Sequence, residues 1–189
     1  MILLKIEISA RHVHLTRQDL EVLFGDNYEL KKEKMLSQSS DFAAVEVISI
    51  EGPKARIDNV RIVGPCRTYS QVELSATDCY KVGINAPVRL SSKIIGSAGI
   101  KLIGQKGELQ LKDGAILAKR HIHASPEDMS KLGVKNGQTV KLSIDGPRAL
   151  VFDNVEVRVS EGFHLAVHLD VDEANAAGIK SGNATGHII

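Results

Sequence analysis

Arg11-His12-Val13-His14-Leu15 returns in kind as Arg120-His121-Ile122-His123-Ala124. Each copy follows a short alternating stretch, Ile6-Glu7-Ile8-Ser9-Ala10 before the first and Ala115-Ile116-Leu117-Ala118-Lys119 before the second. In an extended chain the side-chain period is two, so both imidazoles of a His-x-His point to one side of the strand. Two such pairs, brought together by folding, offer four neutral nitrogen donors to metal. One copy alone reads equally well as the satisfied polar face of a strand. Two copies, each preceded by Arg, favour metal binding.

The surroundings of each copy repeat as well. Thr16, with Asp19 three residues on, opens a helix over Arg17–Phe24 that puts Leu20, Leu23 and Phe24 on one face, and Gly25-Asp26-Asn27 ends it. Ser125-Pro126-Glu127-Asp128 caps a second helix over residues 127–132, ended by Gly133. Residues 28–31 and 139–144 are the strands expected next. Further on, Val72-Glu73-Leu74 falls on Val167-His168-Leu169, Thr77-Asp78 on Asp172-Glu173 and Gly83-Ile84 on Gly178-Ile179, at a constant offset of 95. The repeat unit is far longer than a solenoid module, so it marks a domain duplication.

Strands are expected at residues 43–50, 55–62, 71–74 and 88–90, and again at 140–144, 149–152, 155–159 and 165–169. They are short, rich in β-branched residues and punctuated by Gly-Pro or Asp-Asn turns. The fold class that follows is mostly β: duplicated small β-barrels capped by short α-helices, with closure removing exposed edges. Residues 1–91 are expected as the first barrel, with the first His-x-His. Residues 92–189 hold a Gly-rich connection and the second barrel, and the terminal strands are free to cross between barrels. The connecting glycines read as structural turns; no phosphate-binding loop matches them.

At 43% hydrophobic and 25% charged, the 189 residues describe a soluble globular protein, with a core of Val, Ile, Leu and Ala because Trp is absent. A net charge of +1, with no basic block longer than Lys31-Lys32-Glu33-Lys34, argues against nucleic acid as a main partner. Cys66 and Cys79 lack Cys-x-x-Cys spacing and read as free thiols of a reducing compartment. No signal-like N-terminus or membrane-length apolar run is present, so the chain is expected in the cytoplasm and not at a membrane.

Glu73 stands in register with His168, each between apolar neighbours that point the other way. The candidate ligand set is therefore His12, His14, Glu73, His121, His123 and His168. Six donors exceed one structural zinc site and suffice for two ions with open positions, as catalysis requires. Imidazole with carboxylate suits zinc, and also iron, cobalt or nickel. His164 shares the phase of His168 as an outer contact or a solvated side chain, and His187 falls in a Gly-rich tail read as mobile. Arg67, after Gly64-Pro65-Cys66, is either a solvated turn arginine or a bidentate clamp for phosphate or carboxylate. Cys66 beside it reads as a small buried side chain rather than a nucleophile, and Arg11 and Arg120 face away from the histidines in a regular strand.

These residues resemble the phosphate propanoyltransferase family, the metal-dependent phosphotransacylases of propanediol utilisation. The matching stretches run in order over essentially the whole chain. They include Ile8-Ser9-Ala10-Arg11-His12-Val13-His14-Leu15, Asn59-Val60-Arg61-Ile62-Val63-Gly64-Pro65-Cys66-Arg67 with Gln71-Val72-Glu73, Ala118-Lys119-Arg120-His121-Ile122-His123, and His168-Leu169-Asp170-Val171-Asp172-Glu173-Ala174-Asn175-Ala176. The resemblance implies two β-barrels, two metal ions (zinc first) and a homodimer. It also implies interconversion of a short-chain acyl-CoA plus phosphate with acyl phosphate plus coenzyme A, by metal-assisted direct attack of phosphate on the thioester. It puts the metal ligands on the six residues above, the phosphate arginine on Arg67, and coenzyme A contacts on Ile8, Ser9, Ala10 and Asn175. The alternative is a metal-dependent thioester or phosphoester hydrolase. Three departures stand out: Ser39-Ser40-Asp41 in place of a Pro-Gly-Gln-like turn, Gln105-Lys106 where Gly-Pro is common, and Ala124 for a frequent Met. The first two bear on the pocket rim or acyl preference. A chain whose first strand begins near Met1 is expected free in the cytoplasm rather than encapsulated.

Overall fold

The computed structural model describes residues 2–38, 40–180 and 184–189. In chain order the elements begin with β1 (Leu4–Ser9), β2 (His12–His14), α1 (Arg17–Phe24), β3 (Lys32–Met35), β4 (Phe42–Glu51) and β5 (Arg56–Gly64). Next come β6 (Gln71–Leu74), α2 (Ala76–Val82), β7 (Val88–Arg89), β8 (Ala98–Ile103), β9 (Glu108–Ala118) and β10 (His121–Ala124). The chain ends with α3 (Pro126–Leu132), β11 (Thr139–Ile144), β12 (Leu150–Val159), β13 (Ala166–Asp170), α4 (Val171–Ala176) and β14 (Thr185–Ile188).

Two compact units result: residues 11–118, and residues 1–10 together with 119–189. In residues 11–118, β5 runs antiparallel to β4 and parallel to β2, and β2 runs antiparallel to β6. β6 is parallel to β9, β9 antiparallel to β8, and β8 antiparallel to β4, which closes a ring of six strands. β3 and β7 extend the sheet beyond that ring on β4 and β9. In the other unit the same circuit recurs. β12 is antiparallel to β11 and parallel to β10, and β10 is antiparallel to β13. β13 is parallel to β1, β1 antiparallel to β14, and β14 antiparallel to β11. The fold is thus mostly β, two small barrels capped by four short helices among the described residues.

The strand leading into each His-x-His closes the ring that holds the other copy: β1 lies beside β13, and β9 beside β6. The division therefore falls at residues 10/11 and 118/119 instead of at 91/92. The reason is pairing. The Gly-rich segment after residue 91 forms the β8–β9 hairpin, whose hydrogen bonds go to β4 and β6. Each ring has its own apolar core. Val13, Ile62, Val72 and Leu74 are buried in one, and Ile122, Val157, Val167 and Leu169 in the other.

Several local expectations change. Residues 28–31 form no strand: the Lys31 N–H goes to the Glu46 carboxylate, which also accepts from Tyr28 Oη at 2.9 Å, while the Lys31 carbonyl accepts from the Val45 N–H at 2.8 Å and β3 begins at the next residue. The Asp153-Asn154 turn lies inside one continuous β12, with Asn154 at φ 56° and its counterpart Asn59 in β5 at φ 59°. These left-handed asparagines are bulge residues, and the ladder continues past them. Helices α2 and α4 are additional, each opened by a capping box, Ser75 with Asp78 and Asp170 with Glu173. His187 lies in β14, not in a mobile tail. Gly104 serves packing: a Cβ there would stand 2.4 Å from the Leu23 carbonyl oxygen at the end of α1. The Lys106 N–H also donates to that oxygen, so the Gln105-Lys106 departure meets a helix end. Ser39 lies outside the described residues.

Candidate functional site

The two histidine pairs are completed by strand register. In the antiparallel pair β2–β6, His12 lies opposite Glu73, and in β10–β13, His121 lies opposite His168. Residues i and i+2 of one strand and the residue facing i on the next share a sheet face. Val13 and Ile122, between the histidines, are fully buried on the opposite, core side. Each unit thereby gathers one three-residue cluster: His12, His14 and Glu73 in residues 11–118, and His121, His123 and His168 in the other. Within each cluster the nitrogen or carboxylate donors lie within 4.8 Å of one another.

Hydrogen bonds orient the rings. His14 Nδ1 lies 3.1 Å from the Val63 carbonyl and His121 Nδ1 lies 2.8 Å from that of Lys119. A carbonyl can only accept, so each Nδ1 carries the proton and each Nε2 keeps its lone pair, the arrangement found behind metal-bound histidines. His12 Nε2 faces Glu73 Oε2 at 3.6 Å. His123 stacks on Phe163 at 3.8 Å, and its Nδ1 is buried without a hydrogen-bond partner. His168 faces Glu7 across β1, Nε2 to Oε2 at 4.0 Å.

Burial keeps three of these imidazoles neutral, those of His14, His121 and His123. Desolvation first, and then the neighbouring His12 and Arg67, hold His14 well below the ordinary histidine value. Desolvation and then His168 push His121 down to about 3. Desolvation, His121, His168 and Arg158 push His123 down to about 2. Neutral, preoriented imidazoles fit a divalent ion, and three protein donors per cluster leave a coordination position open. Among the described residues these are the two clusters of that kind.

Arg67 belongs to the Glu73 side. Its Nη2 is 3.0 Å from Asp41 Oδ2, and its Nη1 donates to Tyr69 Oη at 3.2 Å and Ser91 Oγ at 3.3 Å. Ser91 Oγ also accepts from Gln71 Nε2 at 2.9 Å, which donates to Glu73 Oε1 at 2.6 Å. The Gln71 side-chain oxygen Oε1 in turn accepts from the Ser92 N–H at 2.8 Å. A polar chain thus runs from the arginine to the carboxylate of the cluster. Ile8 and Ser9, half-buried in β1, pair in register with Leu169 and Asp170 at the start of α4, and Ala10 and Asn175 are exposed nearby in the chain. His164 is exposed.

Arg11 and Arg120 turn away from the histidines. Arg11 pairs with Asp78 at 2.7 Å and Arg120 with Glu173 at 2.9 Å, the capping residues of α2 and α4. They fasten each helix to its strand. Desolvation raises the Cys66 thiol above its ordinary value, which keeps it protonated and unsuited to attack.

The roles of three polar residues were not read from the sequence. Gln71 stands two residues before Glu73, in the same strand phase, and that spacing was the available signal. Arg158 faces His123 across β10–β12, Nη1 3.5 Å from Nε2, at a position where the first half has Val63. The third is Asp41, read in the sequence only as part of the turn at the pocket rim; its pairing with an arginine 26 residues away has no local signal.

The family model for phosphate propanoyltransferase matches residues 5–180. A phosphate propanoyltransferase of Leptotrichia buccalis is 51% identical over 178 residues, covering 94% of this chain and 84% of that protein. One from Thermotoga maritima is 48% identical over 179 residues, 94% of this chain and 85% of its own length. One from Enterococcus faecalis is 48% identical over 185 residues, 98% and 87%. No helix of the described residues is long and apolar enough to cross a membrane. With 176 matched positions spanning both histidine pairs, Glu73, His168 and Arg67, the chain belongs to the phosphate propanoyltransferase family of acyltransferases.

Proposed function

We propose that this enzyme moves a short acyl group between coenzyme A and phosphate with one divalent ion, zinc first, on each of the two clusters. His12, His14 and Glu73 hold one ion, and His121, His123 and His168 the other. The observation that carries the reading is the matched register, which completes each His-x-His with the residue facing its first histidine. Bound there, such ions supply Lewis acidity for a carbonyl oxygen and a soft acceptor for a leaving thiolate.

The protein's own groups do the rest. Arg67 seats phosphate through its guanidinium, while Tyr69 and Ser91 hold the side chain in place. Gln71 fixes Glu73 by one carboxylate oxygen, which leaves the other directed at His12. Ile8, Ser9, Ala10 and Asn175 contact coenzyme A. A phosphate oxygen attacks the thioester carbonyl, the carbon–sulfur bond breaks, and the proton carried by phosphate ends on the coenzyme A sulfur. No acyl-enzyme forms, in keeping with the protonated state of Cys66.

The test is steady-state acyl phosphate formation from short acyl-CoAs, with phosphate varied from zero, before and after chelation and metal add-back. Activity should need both phosphate and metal, and elemental analysis should find two ions per chain. Thioester loss at the same rate without phosphate would identify a hydrolase instead. Arg67→Ala should remove most turnover and leave metal content nearly intact; parallel loss of metal would refute its assigned role. Homodimerisation, to be read by light scattering, and residence in the cytoplasm complete the proposal.

A further inference from the structure

The phosphate arginine of the proposed reaction is already paired. Asp41 Oδ2 sits 3.0 Å from Arg67 Nη2, and both side chains are about three-quarters shielded from solvent, at 24% exposure. The main chain that carries the carboxylate is held in place. The Asp41 carbonyl accepts from the Leu36 N–H at 2.9 Å and the Asp41 N–H donates to the Gln38 carbonyl at 3.1 Å, closing the turn between β3 and β4. Arg67 is pinned from the other side by Tyr69 and Ser91. A guanidinium has five N–H donors, and these three bonds leave donors to spare for an anion. Any oxyanion seated on Arg67 therefore lies against a fixed carboxylate.

That neighbour sorts oxyanions by their protons. Inorganic phosphate keeps at least one proton at neutral pH, and its P–OH can donate to a carboxylate, whereas sulfate has the same shape and no proton. Against Asp41, phosphate gains a charge-assisted hydrogen bond, and sulfate meets two acceptors facing each other with nothing between them. We propose that Asp41 selects phosphate over fully ionised tetrahedral anions at the Arg67 seat by accepting the hydrogen bond of its P–OH. A site that offers a hydrogen-bonding partner rejects the analogue that cannot use it. The inference rests on Arg67 being the phosphate seat.

The experiment measures acyl phosphate formation by the metal-loaded enzyme with phosphate varied and sodium sulfate as competitor, at constant ionic strength, in wild type, Asp41→Asn, Asp41→Glu and Arg67→Gln. The readout is the ratio of the sulfate inhibition constant to the phosphate KM, which general damage to folding leaves unchanged. In Asp41→Asn the ratio should fall by about tenfold or more, because the amide can donate to sulfate, while Asp41→Glu should keep it close to wild type. An unchanged ratio in Asp41→Asn, with phosphate KM raised in Arg67→Gln, overturns the selectivity role and leaves the phosphate seat standing. An unchanged phosphate KM in Arg67→Gln removes the seat itself, and the inference with it.

Discussion

Gln71→Leu should loosen one metal ion and spare the other. Gln71 is completely buried and spends both ends of its amide: Nε2 on Glu73 at 2.6 Å and Ser91 at 2.9 Å, Oε1 on the Ser92 N–H at 2.8 Å. Leucine keeps the volume and deletes all three bonds. Ser92 is exposed and can turn to water, so the main loss falls on Glu73, a buried carboxylate left with one oxygen unrestrained. Removing such a support behind a metal ligand costs about 10- to 100-fold in affinity, or roughly 1.4–2.7 kcal/mol. The unsatisfied buried groups should lower folding stability by a further 1–3 kcal/mol or so. Ala166, which faces His123 as Gln71 faces His14, offers the second cluster no such support, so its ion should be unaffected. Chelator competition on the fully loaded protein, followed by urea denaturation of the metal-free form, separates the two effects. Two ions released together, or both held as in wild type, would refute the role given to Gln71.

Arg11→Ala and Arg120→Ala should each lower stability by about 1–3 kcal/mol in urea denaturation, since each leaves a shielded capping carboxylate without its cation. The Arg120 change also uncovers the Phe152 ring, 5.1 Å from its guanidinium; a loss under about 0.5 kcal/mol in both variants would contradict the fastening role. The metal-free protein should lose stability as pH falls below about 6.5. There the unfolded chain protonates His14, His121 and His123, while the folded chain holds His121 neutral to about 3 and His123 to about 2. The unfolded state then binds more protons, which gives a loss of up to about 1.4 kcal/mol per pH unit for each histidine before solvent screening. Melting temperatures from pH 8 to 5 after chelation check this, and a rise on acidification would exclude it.

The local parts of this fold were legible because they are written in side chains. His-x-His, the Ser/Thr caps of α1 and α3, and the apolar flanks of Glu73 and His168 each fix their own geometry. The exchange of β1 and β9 was legible only in part: the terminal strands were free to cross, but nothing marked β9 as the strand that crosses the other way. Both are alternating strands that would close either ring equally well, and only long-range pairing decides which. The boundary error at residue 91 follows from the same cause, since glycines mark turns without saying to which sheet the flanking strands belong. Residues 28–31 failed for a different reason: the Glu46 carboxylate, fifteen residues beyond Lys31, takes the Lys31 N–H, and regular pairing with β4 begins only at Lys32.

Matched positions of the two rings show how one duplicated frame came to hold two unlike sites. The core-facing residues barely differ: Val72 and Val167, Leu74 and Leu169, Val13 and Ile122 are buried in both rings. The opposite face keeps the two histidine pairs and diverged around them, with Glu73 against His168, Gln71 against Ala166 and Val63 against Arg158. Strand periodicity permits this, because alternate residues contact different surroundings and one face can change without disturbing the other. The consequence is electrostatic. A divalent ion on the Glu73 cluster would carry one positive charge less than the same ion among three neutral imidazoles. The all-imidazole site is therefore the stronger attractor for an anion, and the Glu73 site has Arg67 beside it to restore the pull. Asp41 takes part of that pull away, a loss that the proposed phosphate would offset by donating its own proton to the carboxylate.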